Sequence, residues 1–156
     1  MLQKSFLRKI NGVKHLNYWE QLKHLNLYSL ERRRERYRIL YTWYIIEGIV
    51  PNFNNNNGGG ITYYINQRLG RKCHLKAVNS GPNKRIWRGS LSEEGPKLFN
   101  VLPKNLRNMT KCTKDYFKKN LDQFLSHIPD EPLVQNYVTM RRADSNSLVD
   151  MVKLRI

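Results

Sequence analysis

Cysteine is nearly missing from this chain: Cys73 and Cys112 are the only two in 156 residues, and they lie far apart. Two such thiols build no disulfide framework. The expected setting is therefore reducing and intracellular, nucleus or cytoplasm. Long apolar runs are missing too. No stretch approaches the roughly 18 apolar residues of a membrane span. Met1 to Ile10 is basic but lacks the continuous apolar segment of a signal peptide, so no membrane partner is expected. Acid is scarce, with 12 Asp and Glu against 28 Lys and Arg. No two aspartates adjoin, which removes the simplest two-metal carboxylate site for nucleotidyl transfer; Glu93 and Glu94 do adjoin, near a turn. Cys73-His74 has no Cys-x-x-Cys or His-x-x-x-His partner, so a zinc site with Cys112 and His127 needs three-dimensional convergence; core cysteine and surface histidine are the default. No Ser, His and Asp set sits in a nucleophile-elbow context. Asn54 to Gly60 (NNNNGGG) lacks the Lys-Ser/Thr of a phosphate loop and reads as a flexible surface loop. The expectation is a protein that positions a partner, with no catalytic residue, metal or cofactor.

What is present is a core and a large positive charge. Apolar residues make up 40% and aromatics 11%, enough for one domain of this length. The formal net charge is +16, and a polyanion is the simplest partner, nucleic acid before membrane. The excess is uneven: +6 over residues 1–50, +8 over 51–110 and +2 over 111–156. The polyanion-facing surface is therefore expected in the first two thirds.

Ser29 to Val50 (SLERRRERYRILYTWYIIEGIV) organises the rest. Ser29 suits a helix N-cap, and no glycine or proline follows until Gly48. Five arginines (Arg32, Arg33, Arg34, Arg36 and Arg38) crowd the first half, against the helix dipole. They call either for an anionic partner or for plain solvation beside Glu31 and Glu35. The second half, Leu40 to Ile49, is apolar nearly all round and predicts a buried rod. Before it, Leu2 to Ile10 places Leu2, Phe6, Leu7 and Ile10 at helical spacing, and a second helix is expected over about His15 to Leu25. After the loop, Ile61 to Ile65 and Lys72 to Val78 read as strands, the second returning through Arg85 to Leu91 as an antiparallel ribbon. Its cations are Arg68, Arg71, Lys72, Lys76, Lys84, Arg85 and Arg88. They serve either a polyanion or the guarding of an exposed edge. Pro96 suits the first position of a short helix. Thr113 to Ile128 carries one apolar stripe of Phe117, Leu121, Phe124, Leu125 and Ile128. The fold class is thus α+β, mainly α: a helical N-terminal half, a small basic antiparallel hairpin or sheet, and an amphipathic C-terminal helix. One domain is expected over 1–128, made of a helical half at 1–50, a loop at 51–60, the ribbon at 61–91 and helices at 96–128. Residues 129–156 are expected to be a poorly packed tail.

Several of these segments together resemble a known family. Tyr18-Trp19-Glu20-Gln21-Leu22-Lys23, then Leu25, Leu27 and Ser29-Leu30-Glu31-Arg32-Arg33-Arg34-Glu35-Arg36-Tyr37, look like the region after the polymerase domain of non-LTR (LINE-like, jockey-type) retrotransposon reverse transcriptases. Tyr41-Thr42-Trp43-Tyr44-Ile45-Ile46 is similar to its apolar stretch, with tyrosine where lysine is usual. Arg68-Leu69-Gly70-Arg71 and Leu98-Phe99-Asn100-Val101-Leu102-Pro103 resemble its Arg-rich segment and its Trp-Asn-x-Leu-Pro motif, with Phe99 in place of tryptophan. Phe117 to Leu125 resembles its closing helix. The ordered set covers nearly the whole chain. It implies a thumb-adjacent, post-polymerase piece of such a polyprotein, without the catalytic palm and so without polymerase activity.

Two functions follow from residues and resemblance together. The first is non-catalytic binding of RNA, RNA–DNA hybrid or DNA through Arg32, Arg33, Arg34, Arg36, Arg68, Arg71, Lys72, Lys76, Arg85 and Arg88, with weak sequence preference and steep salt dependence. The remainder of a reverse transcriptase polyprotein is a further expected partner. The alternative is a structural module that docks on a polymerase or another protein through an apolar face, without touching nucleic acid.

Overall fold

The computed structural model describes residues 2–52, 60–75, 89–132 and 145–153. The fold is α+β and mainly α, as the periodicity implies. In chain order the elements are α1 (Leu2–Leu7), α2 (Tyr18–His24), α3 (Leu30–Ile46), β1 (Tyr63–Asn66), β2 (Gly70–Cys73), α4 (Leu91–Val101), α5 (Lys104–Arg107), α6 (Lys114–Ser126) and α7 (Leu148–Lys153). The chain divides into two compact units, Met1–Arg34 with Pro129–Ile156, and Glu35–Ile128. The expected loose tail packs in part. Leu148 and Met151 are buried, and a carboxylate of the supposed tail ties down a helix start.

In the first unit that helix start is the end of α3. Ser29 caps it as its sequence suggests, its Oγ accepting from the Arg32 N–H at 3.1 Å. Asp130 then accepts from both the Ser29 hydroxyl and the Ser29 N–H, so a negative charge sits where the helix dipole favours one. The Arg32 guanidinium donates to the carbonyls of Pro129 and Asn146 at 2.9 and 3.2 Å and lies 3.6 Å from Asp130. Asn17 caps α2 in a reciprocal capping box with Glu20. The Gln3 amide accepts from Tyr18 and from the Leu30 N–H and donates to the Tyr28 carbonyl. Leu7, Val13 and Leu22 supply further apolar core. Of the apolar residues expected to pack from the first helix, Leu2 and Phe6 instead stand 89% and 64% exposed.

The second unit is built on Trp43. Its indole is fully buried, stacks on Phe117 at 4.2 Å and donates to the Met109 carbonyl. Ile39, Leu40, Leu98, Phe99, Leu102, Leu106, Leu121 and Leu125 complete the core. The expectation that the second half of α3 is buried all round is corrected: Leu40, Thr42 and Trp43 face inward, while Tyr41 is exposed. Tyrosine tolerates this because its hydroxyl end is wet while its ring packs. The helix expected to open at Pro96 opens at Leu91 instead, with Glu93 and Glu94 in its first turn bridged by Lys97 at 3.1 and 2.9 Å. Gly95 is where α4 meets α3: a Cβ there would lie 2.3 Å from Thr42 Oγ1.

The ribbon is also rearranged. β1 pairs antiparallel with β2 in the register Tyr63 to Cys73, Tyr64 to Lys72, Ile65 to Arg71 and Asn66 to Gly70. The turn comes earlier than expected because Asn66 Oδ1 accepts from the N–H groups of Arg68 and Leu69, and Gly70 takes the left-handed φ of +74° that closes a three-residue hairpin loop. Leu91 begins a helix, so the supposed return strand does not reach it; residues 76–88, with Lys76, Lys84, Arg85 and Arg88, lie outside the described residues.

Candidate nucleic-acid interface

The hairpin is held from one side. Four backbone groups of β2 that face away from β1 are met by side chains of the α4–α5 region. Asn100 accepts from the Cys73 N–H and donates to the Cys73 carbonyl, both at 2.8 Å. Asn108 accepts from the Arg71 N–H, and Arg107 donates to the Arg71 carbonyl. The strand edge is thereby satisfied without another strand. The two arginines interlock: Arg71 Nε donates to the Arg107 carbonyl at 2.7 Å, and Arg107 Nε donates to the Leu102 carbonyl. Arg71 also pairs with Glu47 and donates to the Met109 carbonyl. Burial pushes the Arg107 pKa down from its ordinary value and pushes the Cys73 thiol up to about 12.

Alternation along β2 follows from this clamp. Arg71 and Cys73 turn inward, so Lys72 and His74 turn outward. Tyr64 lies opposite Lys72, and its exposed ring sits 4.8 Å from the His74 ring. Arg68 is exposed at the turn, and the Lys104 Nζ reaches the Arg68 carbonyl at 3.1 Å. Arg68, Lys72 and Lys104 make no ion pair among the described residues. The exposed Tyr64 and His74 rings, with Lys72 opposite Tyr64 and without an ion pair among the described residues, are groups that can stack a base and neutralise a phosphate.

The sequence-derived cations divide sharply. Arg68 and Lys72 stand on this hairpin. Arg32 is fully buried and Arg71 is 4% exposed, so neither is a surface phosphate contact, and both assignments are corrected: each guanidinium is spent on internal carbonyls and a carboxylate. Arg36 is only partly exposed and grips Asp122 through two bonds, which removes it as an open cation. Arg33 and Arg34 belong to the first unit, where Arg34 lies 3.6 Å from Glu31 on the surface. Lys76, Arg85 and Arg88 fall outside the described residues. Sequence reasoning missed Lys104 and the Tyr64–His74 pair. The His74–Lys72 alternation was legible, but the register that brings Tyr64 beside them was not. Among the described residues no three His, Cys, Asp or Glu side chains gather as a metal site, and no helix is long and apolar enough to cross a membrane.

No family model, curated protein or solved structure matches the chain. The retrotransposon resemblance therefore rests on the motifs alone.

Proposed function

We propose that the chain is a non-catalytic nucleic-acid-binding domain, a piece or derivative of a non-LTR reverse transcriptase that contacts the backbone of RNA or RNA–DNA hybrid. The observation that supports it is the hairpin: Lys72 opposite Tyr64 beside the His74 ring, and Arg68 at the turn with Lys104 on its carbonyl, these three cations having no carboxylate partner among the described residues. In a full element this surface would hold template or hybrid near the polymerase. Binding through such a face is dominated by counterion release. Three neutralised phosphates give a log–log salt slope of roughly −2 on a single strand and −3 on a duplex. Anisotropy titrations of labelled RNA at two salt concentrations test this. Lys72→Glu and Arg68→Glu are expected each to weaken binding and flatten the slope by about one. Salt-insensitive binding, or the same affinity for wild type and both variants, would count against the proposal.

The apolar-docking alternative has its own observation. Leu2 and Phe6, four apart on α1, present their side chains to solvent. A protein partner seated there would lose affinity on Phe6→Ser, whereas the RNA titration would not change.

A further inference from the structure

The second unit carries a cavity that the hairpin reading does not use. It is an open groove between α5 and α6, about 240 Å³ in volume, lined by Pro103, Asn105, Asn120, Gln123, Phe124 and His127 among others, with Asn105, Gln123 and His127 exposed to solvent. Its size is informative. Pockets for drug-sized ligands begin near roughly 300 Å³, so this groove has room for nothing much larger than a single base. Its chemistry is amide-rich and uncharged. The side-chain amides of Asn105 and Gln123 make no hydrogen bond among the described residues, so each offers a donor and an acceptor side by side. Asn120 spends its Nδ2 on the Tyr116 carbonyl at 2.8 Å, which leaves Oδ1 as an acceptor. The His127 Nδ1 lies 2.6 Å from the Gln123 carbonyl. A carbonyl only accepts, so Nδ1 carries the proton and a neutral ring keeps Nε2 as an acceptor. Phe124 and Pro103 add apolar faces.

We infer that this cavity takes one unstacked nucleobase of a single strand, a reading that rests on the proposed nucleic-acid function and adds base selectivity to it. A carboxamide is the side-chain group that meets a base edge through a paired donor and acceptor, and unpaired bases are the part of a single strand that proteins read this way. The location agrees. Pro103 and Asn105 flank Lys104, whose Nζ donates to the carbonyl of Arg68 at the hairpin turn.

The test uses the full chain labelled with ¹⁵N and, as probes, adenosine, guanosine, cytidine and uridine. Nucleosides carry no phosphate, so the hairpin cations are not needed for their binding. The expected result is a saturable shift of the Asn105 and Gln123 side-chain amide signals with at least one nucleoside, selective among the four. Gln123→Ala, with an otherwise unchanged amide spectrum, should weaken that binding by roughly tenfold, the loss of one good base-edge pair. No shift at those amides with any nucleoside at millimolar concentration overturns the inference. So does a shift that Gln123→Ala and Asn105→Ala both leave intact. Homopolymer RNA titrations separate the two readings. If Lys72→Glu weakens every homopolymer equally while Gln123→Ala changes neither affinity nor preference, the hairpin stands and the cavity falls. If nucleosides shift the amides but neither single-stranded RNA nor single-stranded DNA binds, the groove is a nucleoside site only, and both the hairpin reading and the single-strand reading fall.

Discussion

Arginine has opposite roles in this chain, depending on what lies within reach of the guanidinium. Arg71 sits under β2 with Glu47 and two carbonyls around it. Removing it leaves a largely buried carboxylate and two carbonyls without a donor. Arg71→Ala is therefore expected to lower stability by about 3–5 kcal/mol in chemical denaturation, more than any exposed arginine would. Arg68, three residues earlier at the hairpin turn, has no such duty, and Arg68→Ala should fall within about 0.5 kcal/mol of wild type. Cys73 makes a second prediction at this scale. Its thiol is buried and held up at about 12, with burial the main cause, opposed by Arg71 and Arg107. In the unfolded chain it ionises near ~8.5. Above that pH the unfolded state has lost a proton that the folded state keeps, so the stability this thiol contributes is complete below about pH 8.5 and drains away as pH rises toward 12, by at most ~1.4 kcal/mol per pH unit. Thermal melts between these values should show a shallower fall for Cys73→Ala. Below that window, Cys112, which is half-buried, should react with a thiol reagent first and Cys73 only after denaturation.

At the scale of elements, close approach decides what the local signals cannot. The α3–α4 crossing depends on a glycine: Gly95 leaves room for Thr42, whose hydroxyl donates back to the Arg38 carbonyl at 2.8 Å. Gly95→Val puts branched carbon into a fully buried neighbour. It is expected to cost about 1–3 kcal/mol as overpacking, although valine at an exposed helical site would match or improve on glycine. A denaturation midpoint equal to wild type would show that the helices can move apart. The hairpin has the same logic at Gly70, where a Cβ would lie 2.5 Å from Asn108 Oδ1 at a φ of +74°. Gly70→Ala should loosen the Arg71 N–H bond to Asn108, visible as faster hydrogen exchange at that amide. Much of this level was legible beforehand. Thr113 caps α6 as its sequence suggests, accepting from the Tyr116 N–H, and Phe117, Leu121 and Leu125 are buried along the expected stripe. What misled was Pro96, which suits a first helical position. Ser90, the acidic pair and Lys97 instead support a helix start five residues earlier.

At the scale of the whole molecule, the two units make different demands on the chain. The second is continuous from Glu35 to Ile128, whereas the first needs residues beyond Pro129 to complete it. Expressed alone, 35–128 is expected to melt cooperatively and to keep the near-ultraviolet signal of the Trp43–Phe117 stack. A fragment ending at 128 loses Asp130 and the buried Leu148 and Met151, so its first unit should show no cooperative transition of its own. Fragment 35–128 without a tertiary signal would contradict the division.

The residues by themselves determined the helical character, the capped starts at Ser29 and Thr113 and the large positive excess, because periodicity, caps and net charge depend on near neighbours. Only the tertiary structure decided which cations reach water. Whether an arginine is spent on a carbonyl inside or left facing solvent depends on partners about 100 residues away, as with Arg32 and Asp130, or across a packed helix, as with Arg71 and Met109. No local pattern carries that information, since the same side chain solvates a phosphate or a buried backbone oxygen through identical hydrogen bonds.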